Sequence, residues 1–213
     1  MRTLLVLLAA LATPVVAQTP DSTRTSPTPA PWAPPPAPAP VPVSPPRPLT
    51  GFVEAAVGAG GDAIAELLYD DGETRDMHSG QGGMVAVGAR LRPLATLPVS
   101  AIASLGYKVV FEPSENANVR LSRIPVTLGL RGEGGPSLWA EASVVRHLGT
   151  TLHGDGFFPD ESYKSSTGAV LAAGWKGVGA HYTTIRYTSE RDGAGYDAWM
   201  VGVTGRVTFA GGW

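Results

Sequence analysis

Cysteine is absent from all 213 residues. No disulfide framework can form, and there is no acceptor thiol for an N-terminal lipid of the bacterial lipoprotein kind. Charge is sparse, at 16%, and close to balanced, with 16 Lys and Arg against 18 Asp and Glu. The formal net charge of −2 offers none of the strongly basic face that nucleic-acid binding calls for. The four histidines, His78, His147, His153 and His181, are dispersed and share no metal-ligand spacing. DDGETRD, at Asp70 to Asp76, lacks the regular oxygen-ligand spacing of a calcium loop. The 27 glycines follow strand alternation and never precede a helix as a phosphate-cradling or dinucleotide motif would. No cofactor is expected. Beyond the leader, no apolar run is long enough to span a bilayer as a helix. If such a chain sits in a membrane, strands must hold it there.

What is present falls into three stretches. MRTLLVLLAALATPVVA pairs a positive start at Arg2 with an apolar run from Leu4 to Ala12 and modest side chains before a cleavage point, which predicts a secretory signal peptide over residues 1–17. Residues 18–49 are rich in Pro and Ala. They hold 13 prolines between Pro20 and Pro48 and little large apolar surface besides Trp32, which predicts a disordered, semi-rigid tether in polyproline II. Residues 50–213 form the folded domain.

In that domain apolar residues recur at every second position between clusters of Gly, Pro, Asp and Asn. VSAIASLGYKVVF sets Val99, Ala101, Ala103, Leu105, Tyr107, Val109 and Phe111 against Ser100, Ser104, Gly106 and Lys108. GGMVAVGARLRP, RIPVTLGLR and WMVGVTGRVTF repeat the pattern. Eight strands are predicted, at roughly 51–60, 82–93, 99–111, 119–131, 137–148, 167–176, 178–188 and 197–209. GGDAIAELLYDD either extends the first or forms a short helix. His181, Thr183, Ile185 and Tyr187 share one face of the seventh, which suggests a bulge. LATLP, GEGGP and KGVG are short turns, whereas LLYDDGETRDMHSGQ, EPSENAN, GTTLHGDGFFPDESYKSS and SERDGAGYD are longer polar connections. Short turns at one end and long loops at the other suit an up-and-down transmembrane barrel, and an even strand count puts both ends of the domain on one side.

Alternation alone leaves the inward face open. A soluble lipocalin-like binding barrel needs a hydrated outer face on every strand. Here the polar face is mostly Gly, Ala, Ser and Thr, which suits the crowded interior of an eight-stranded barrel. From Thr50 onward the four long loops carry 12 of 17 acidic residues and only three of 13 basic ones. The apolar residues at odd positions, Val87, Leu105 and Val203 among them, are therefore expected to face lipid, in an all-β, eight-stranded antiparallel barrel.

The leader, the eight alternating segments, RIPVTLGLR, and a last strand VGVTGRVTF leading to Trp213 resemble the outer-membrane β-barrel domain family of OmpA-like and OmpX-like small barrels. The resemblance covers Thr50 to Trp213 and implies residence in the outer membrane of a Gram-negative cell, contact with outer-membrane lipids, and a tether in the periplasm. It also implies that the barrel-assembly machinery recognises the last strand. Trp213, Phe209, Val207, Val203 and Val201 meet the expected parity, and Phe209 and Trp213 are the candidate assembly signal; Gly205 and Gly211 depart from it. The anchoring role of the peptidoglycan-binding domain in full-length OmpA-like proteins is not expected here. Nor is catalysis. The lipid A deacylases among small barrels carry His and Ser two apart on a strand, but the residue two after His147 is Gly149.

Three further expectations concern sites. Phe157, Phe158 and Tyr163, in GDGFFPDESY, are unusual apolar loop groups that either anchor an extracellular partner, whose identity is unknown, or fold back on the barrel rim. An eight-stranded interior is normally filled, which disfavours the narrow pore as an alternative. Finally, Glu54 on the polar face of strand one has Arg90 and Arg92 on strand two and Arg206 on strand eight as neighbours once the barrel closes. Glu141 lies between Arg131 and Lys176. Two ion-pair clusters are thus expected to plug the inner half of the lumen, a structural role.

Overall fold

In the computed structural model, which describes residues 49–68, 72–93, 97–113, 118–135, 137–156 and 158–209, every regular element is a β-strand. The expected signal peptide and almost all of the expected tether lie outside the described residues, as does Trp213. The strands are β1 (Leu49–Ala59), β2 (Ala63–Leu68), β3 (Thr74–His78), β4 (Gly82–Leu91), β5 (Val99–Pro113), β6 (Asn118–Gly134), β7 (Leu138–His153), β8 (Glu161–Ser165), β9 (Thr167–Trp175), β10 (Val178–Thr184), β11 (Arg186–Ser189), β12 (Gly195–Asp197) and β13 (Met200–Phe209).

Eight of them close a ring in the order β1-β4-β5-β6-β7-β9-β10-β13, every pair antiparallel. The ring closes where β13 pairs with β1, from Gly51↔Phe209 to Ala59↔Val201. Closure leaves no unpaired edge within the ring, so the backbone donors and acceptors of the wall satisfy one another. The expected eight-stranded antiparallel barrel is therefore the observed fold, and short connections do alternate with long ones.

The long connections are more ordered than their polar composition suggests. Strands β5, β6 and β7 run on past the expected limits. β8 pairs with β7 and β11, and β12 pairs with β11, so three walls continue as a collar above the ring. The stretch left open as strand or helix is the hairpin β2–β3. The irregularity anticipated in the seventh strand is a one-residue change of register, from Thr184↔Ala169 to Tyr187↔Ser165, with Ile185 at the break. A second bulge sets Arg123 opposite both Gly149 and Thr150, and Gly149 takes φ +55, which a residue with a Cβ rarely adopts.

Parity decides the faces. Val53, Val57, Val85, Val87, Leu105, Leu128, Leu171 and Val203 point outward and are exposed, whereas Phe52, Ala56, Ala86, Ile102, Trp139 and Thr204 point inward and are buried. The outer face of the ring is thus largely apolar, with Arg146 near the collar as an exception, and most of the charged groups are inside. Near the short-turn end Phe52 fills the lumen opposite Gly88, its register partner. A Cβ at Gly88 would lie 2.2 Å from the Phe52 ring and 2.5 Å from the Ala103 carbonyl oxygen. Gly88→Ala is expected to cost about 1 to 3 kcal/mol by overpacking, measurable as a lowered urea midpoint for the folded barrel.

Candidate functional site

The lumen is built in three storeys. Lowest, β1 and β13 bring Glu54 and Arg206 opposite each other. Arg206 Nη2 and Nε donate to Glu54 Oε2 at 2.6 and 3.1 Å. Its Nη1 reaches across the lumen to Glu141 Oε2 on β7 at 2.9 Å. One guanidinium therefore bridges two carboxylates from opposite walls, Nε and Nη2 converging on one oxygen of Glu54 while Nη1 reaches Glu141. The free lone pairs are used too: Thr204 Oγ1 donates to Glu54 Oε1 at 2.8 Å and Ser143 Oγ to Glu141 Oε1 at 3.3 Å. Below, Arg206 packs on the Phe52 ring, 4.3 Å from its centroid.

The middle storey is a cavity of about 60 Å³, room for a few water molecules. Its floor is Glu54, Glu141 and Arg206, and Lys108, His147 and His181 are among its upper lining. His181 Nδ1 is buried there without a hydrogen-bond partner.

The top storey is a lid on two cations. Lys108 and Arg123 are register partners on β5 and β6, and both are buried. Like charges placed directly opposite repel, and no carboxylate pairs with either among the described residues. Backbone carbonyls serve instead. Lys108 Nζ donates to Gly80 O at 2.6 Å, and Arg123 Nη1 and Nη2 donate to Ser79 O and Gln81 O, both at 2.7 Å. The segment after the β2–β3 hairpin is thereby drawn across the lumen. Gly80 sits there because a Cβ would lie 2.0 Å from the Trp199 carbonyl oxygen. His147 Nδ1 is hydrogen-bonded to the Tyr187 hydroxyl, and Arg123 lies 5.7 Å from the Tyr187 ring centroid. Above this layer Ile64, Met77, Leu121, Leu152, Tyr163 and Ile185 form an apolar core inside the collar.

No protein-family profile and no curated protein matches the chain.

Of the expected ion pairs, Glu54–Arg206 forms as anticipated. The rest are redistributed. Arg90 and Arg92 do not approach Glu54 but both pair with Glu133, because β6 continues through that residue to Gly134 and carries its carboxylate into the barrel. Glu141 is the register partner of Arg131, yet its ion pair is with Arg206 across the lumen. Arg131 instead stacks on Trp139, 4.2 Å from the ring centroid, and Lys176 lies 4.3 Å from the Trp175 centroid. Two clusters exist, with different members.

Of the two readings of the loop aromatics, the fold-back one holds for Phe158 and Tyr163 and the partner-anchor one does not. Tyr163 belongs to β8 and is buried, and Phe158 packs against the same apolar core, so neither is an exposed anchor. They fold back on the rim because the collar supplies an apolar interior to receive them. Phe157 lies outside the described residues. In that connection His153 Nδ1 contacts Asp160 Oδ2 at 2.8 Å, which with the Gly154 amide holds the exposed Asp160 carboxyl below its ordinary range. Phe209 faces outward on β13 opposite Gly51. Lys108 and Arg123 were missed as site residues. Their positions on the polar faces of two predicted strands were the available signal.

Proposed function

We propose that the chain is an integral outer-membrane β-barrel protein with a closed, ion-paired lumen, acting as a structural or surface-presenting scaffold and not as an enzyme. The observation that carries this reading is the polarity of the wall. Large apolar side chains cover the outside of the ring, Val203 being 57% exposed and Leu128 61%, while most charged groups of its strands are inside, Arg120 and Arg146 toward the collar being exceptions. That is the arrangement suited to lipid, and it is the inverse of a soluble lipocalin-like barrel, whose outer face must be hydrated. Aromatic groups lie near both edges of the outer band: Trp175 and Phe209 toward the short turns, Tyr182 and Trp199 toward the long loops. Aromatic girdles of this kind mark the two membrane interfaces. Beyond Tyr182, outward positions on the same wall turn polar with Thr184, Arg186 and Thr188.

On this reading residues 1–17 direct export and are removed, residues 18–49 tether the barrel in the periplasm, and the short turns face that compartment. The collar and acidic loops face outward toward a partner not identified by the residues. Phe209 and Trp213 are then the aromatic part of a C-terminal strand offered to the barrel-assembly machinery. Membrane fractionation, with electrophoresis of boiled and unboiled samples in detergent, tests the proposal. A protein recovered soluble from the periplasm with no heat-dependent mobility change refutes it.

The lumen supports the scaffold reading over a narrow pore. An ion crossing would have to displace Arg206 from two carboxylates and Lys108 and Arg123 from three backbone carbonyls. Planar-bilayer recording of the folded protein is expected to show no steady conductance; sustained open-channel current would favour the pore.

A further inference from the structure

At the short-turn end the lumen opens into a vestibule of about 470 Å³ lined by Arg90, Arg131, Glu133, Trp139, Lys176 and Arg206, among others. Its charges do not balance. Glu133 holds both Arg90 and Arg92, while Glu54 and Glu141 share Arg206. Among the described residues Arg131 and Lys176 make no ion pair, and both rest on tryptophan faces. Five cations thus stand against three carboxylates among the described residues in and around this space. The donors do not balance either. Arg131 is 8% exposed, and its Nε and Nη1 are buried with no acceptor among the described residues, as are Arg92 Nε and Trp139 Nε1. Buried N–H groups, and a buried guanidinium above all, are costly to leave without acceptors.

We propose that this vestibule binds a phosphate group. A carboxylate brings one charge and two oxygens, which leaves one of the two surplus cations unmatched. A phosphate monoester brings between one and two negative charges and three acceptor oxygens. Arg131 lines the vestibule with its guanidinium flat against Trp139, and a side-chain rotation that frees its enclosed donors would turn a planar fork toward two phosphate oxygens. Lys176 supplies a mobile point charge at the rim from a tight turn in which its own φ is +54°. Its ammonium leaves the Trp175 face to meet the ligand. Glu133, already occupied by two arginines, sets the limit on affinity by repelling the anion. The vestibule exists whether or not the barrel sits in a membrane. That the phosphate arrives on a periplasmic solute or on a lipid headgroup of the facing leaflet rests on the membrane reading above.

The test uses the full chain folded in a zwitterionic detergent, with inorganic phosphate as probe and chloride at matched ionic strength as control. Saturable broadening of the phosphorus resonance is expected, weakened at least tenfold in Arg131→Gln, several-fold in Lys176→Gln, and strengthened in Glu133→Gln. Lys176 lies in an exposed turn, so its variant keeps the test open if Arg131→Gln fails to give the compact, heat-sensitive band. Native mass spectrometry of protein taken from micelles doped with phosphatidate separates the sources. Phosphatidate retained by the natural chain and lost in Lys176→Gln assigns the site to a lipid headgroup; phosphate binding without retained phosphatidate assigns it to a soluble phosphate. Absence of saturable binding with either probe overturns the proposal, as does binding undiminished in a folded Lys176→Gln and a folded Arg131→Gln. A barrel that fractionates as soluble yet binds phosphate would remove the membrane reading and leave this one standing.

Discussion

Replacing Arg206 by Ala is expected to lower the stability of the folded barrel by about 3 to 5 kcal/mol, the largest single effect from the lumen. The side chain is 9% exposed and stands between Glu54 and Glu141, themselves 12% and 5% exposed. Removing it leaves two carboxylates facing each other across a narrow, poorly hydrated space, so desolvation and mutual repulsion act together. Glu141→Ala should cost less, because Arg206 keeps its two hydrogen bonds to Glu54. The triple change Glu54→Gln, Glu141→Gln, Arg206→Met should recover much of the loss, since replacing a whole buried ionic group is often near neutral. Urea unfolding of the barrel in lipid vesicles measures all three. An Arg206→Ala penalty below about 1 kcal/mol would mean that water reaches the site freely and that the pair behaves like a surface one.

Val87→Arg is expected to cost about 2 to 4 kcal/mol in a bilayer if the residue lies near the midplane. Val87 is on the outer face of β4 with Val53 and Leu105 as its two register partners, all three outward and roughly half exposed. A charge there has no polar neighbour within the wall. The same substitution on the hydrated surface of a soluble barrel would fall within about 0.5 kcal/mol of neutral. The size of the effect therefore bears directly on where the outer face resides. A neutral result in vesicles would count against lipid contact.

Much of this architecture is legible in the residues because a strand has a period of two and a closed sheet has few degrees of freedom left. Alternation in Val99 to Phe111 gives both the strand and its outer face. Parity together with closure gives Glu54 beside Arg206. What escapes is contact that parity does not encode. Glu141 meets Arg206 across the lumen, not along the wall, and strand neighbours say nothing about that. Glu133 was hidden inside GEGGP, whose glycines read as turn while β6 continues through its first half. Lys108 and Arg123 find their acceptors in the carbonyls of residues 79–81, and carbonyls carry no side-chain signature. Tyr163 looked exposed only because the collar that buries it is assembled from segments too polar to be read as strand.

The seam between β1 and β13 sets the order in which this molecule can be made. Glu54 and Arg206 are 152 residues apart, so the bond that completes the ring is nearly the most distant in the domain. A chain still emerging from the ribosome lacks β13, and both β1 and β10 then carry an open hydrogen-bonding edge. Native structure is thus withheld until synthesis of the domain is finished, and the loop-closure entropy of nearly the whole domain falls on a single late step. Such a barrel keeps open edges until its last strand is in place. Its susceptibility to proteolysis should then end abruptly, in one event that protects the first strand and the last at the same moment.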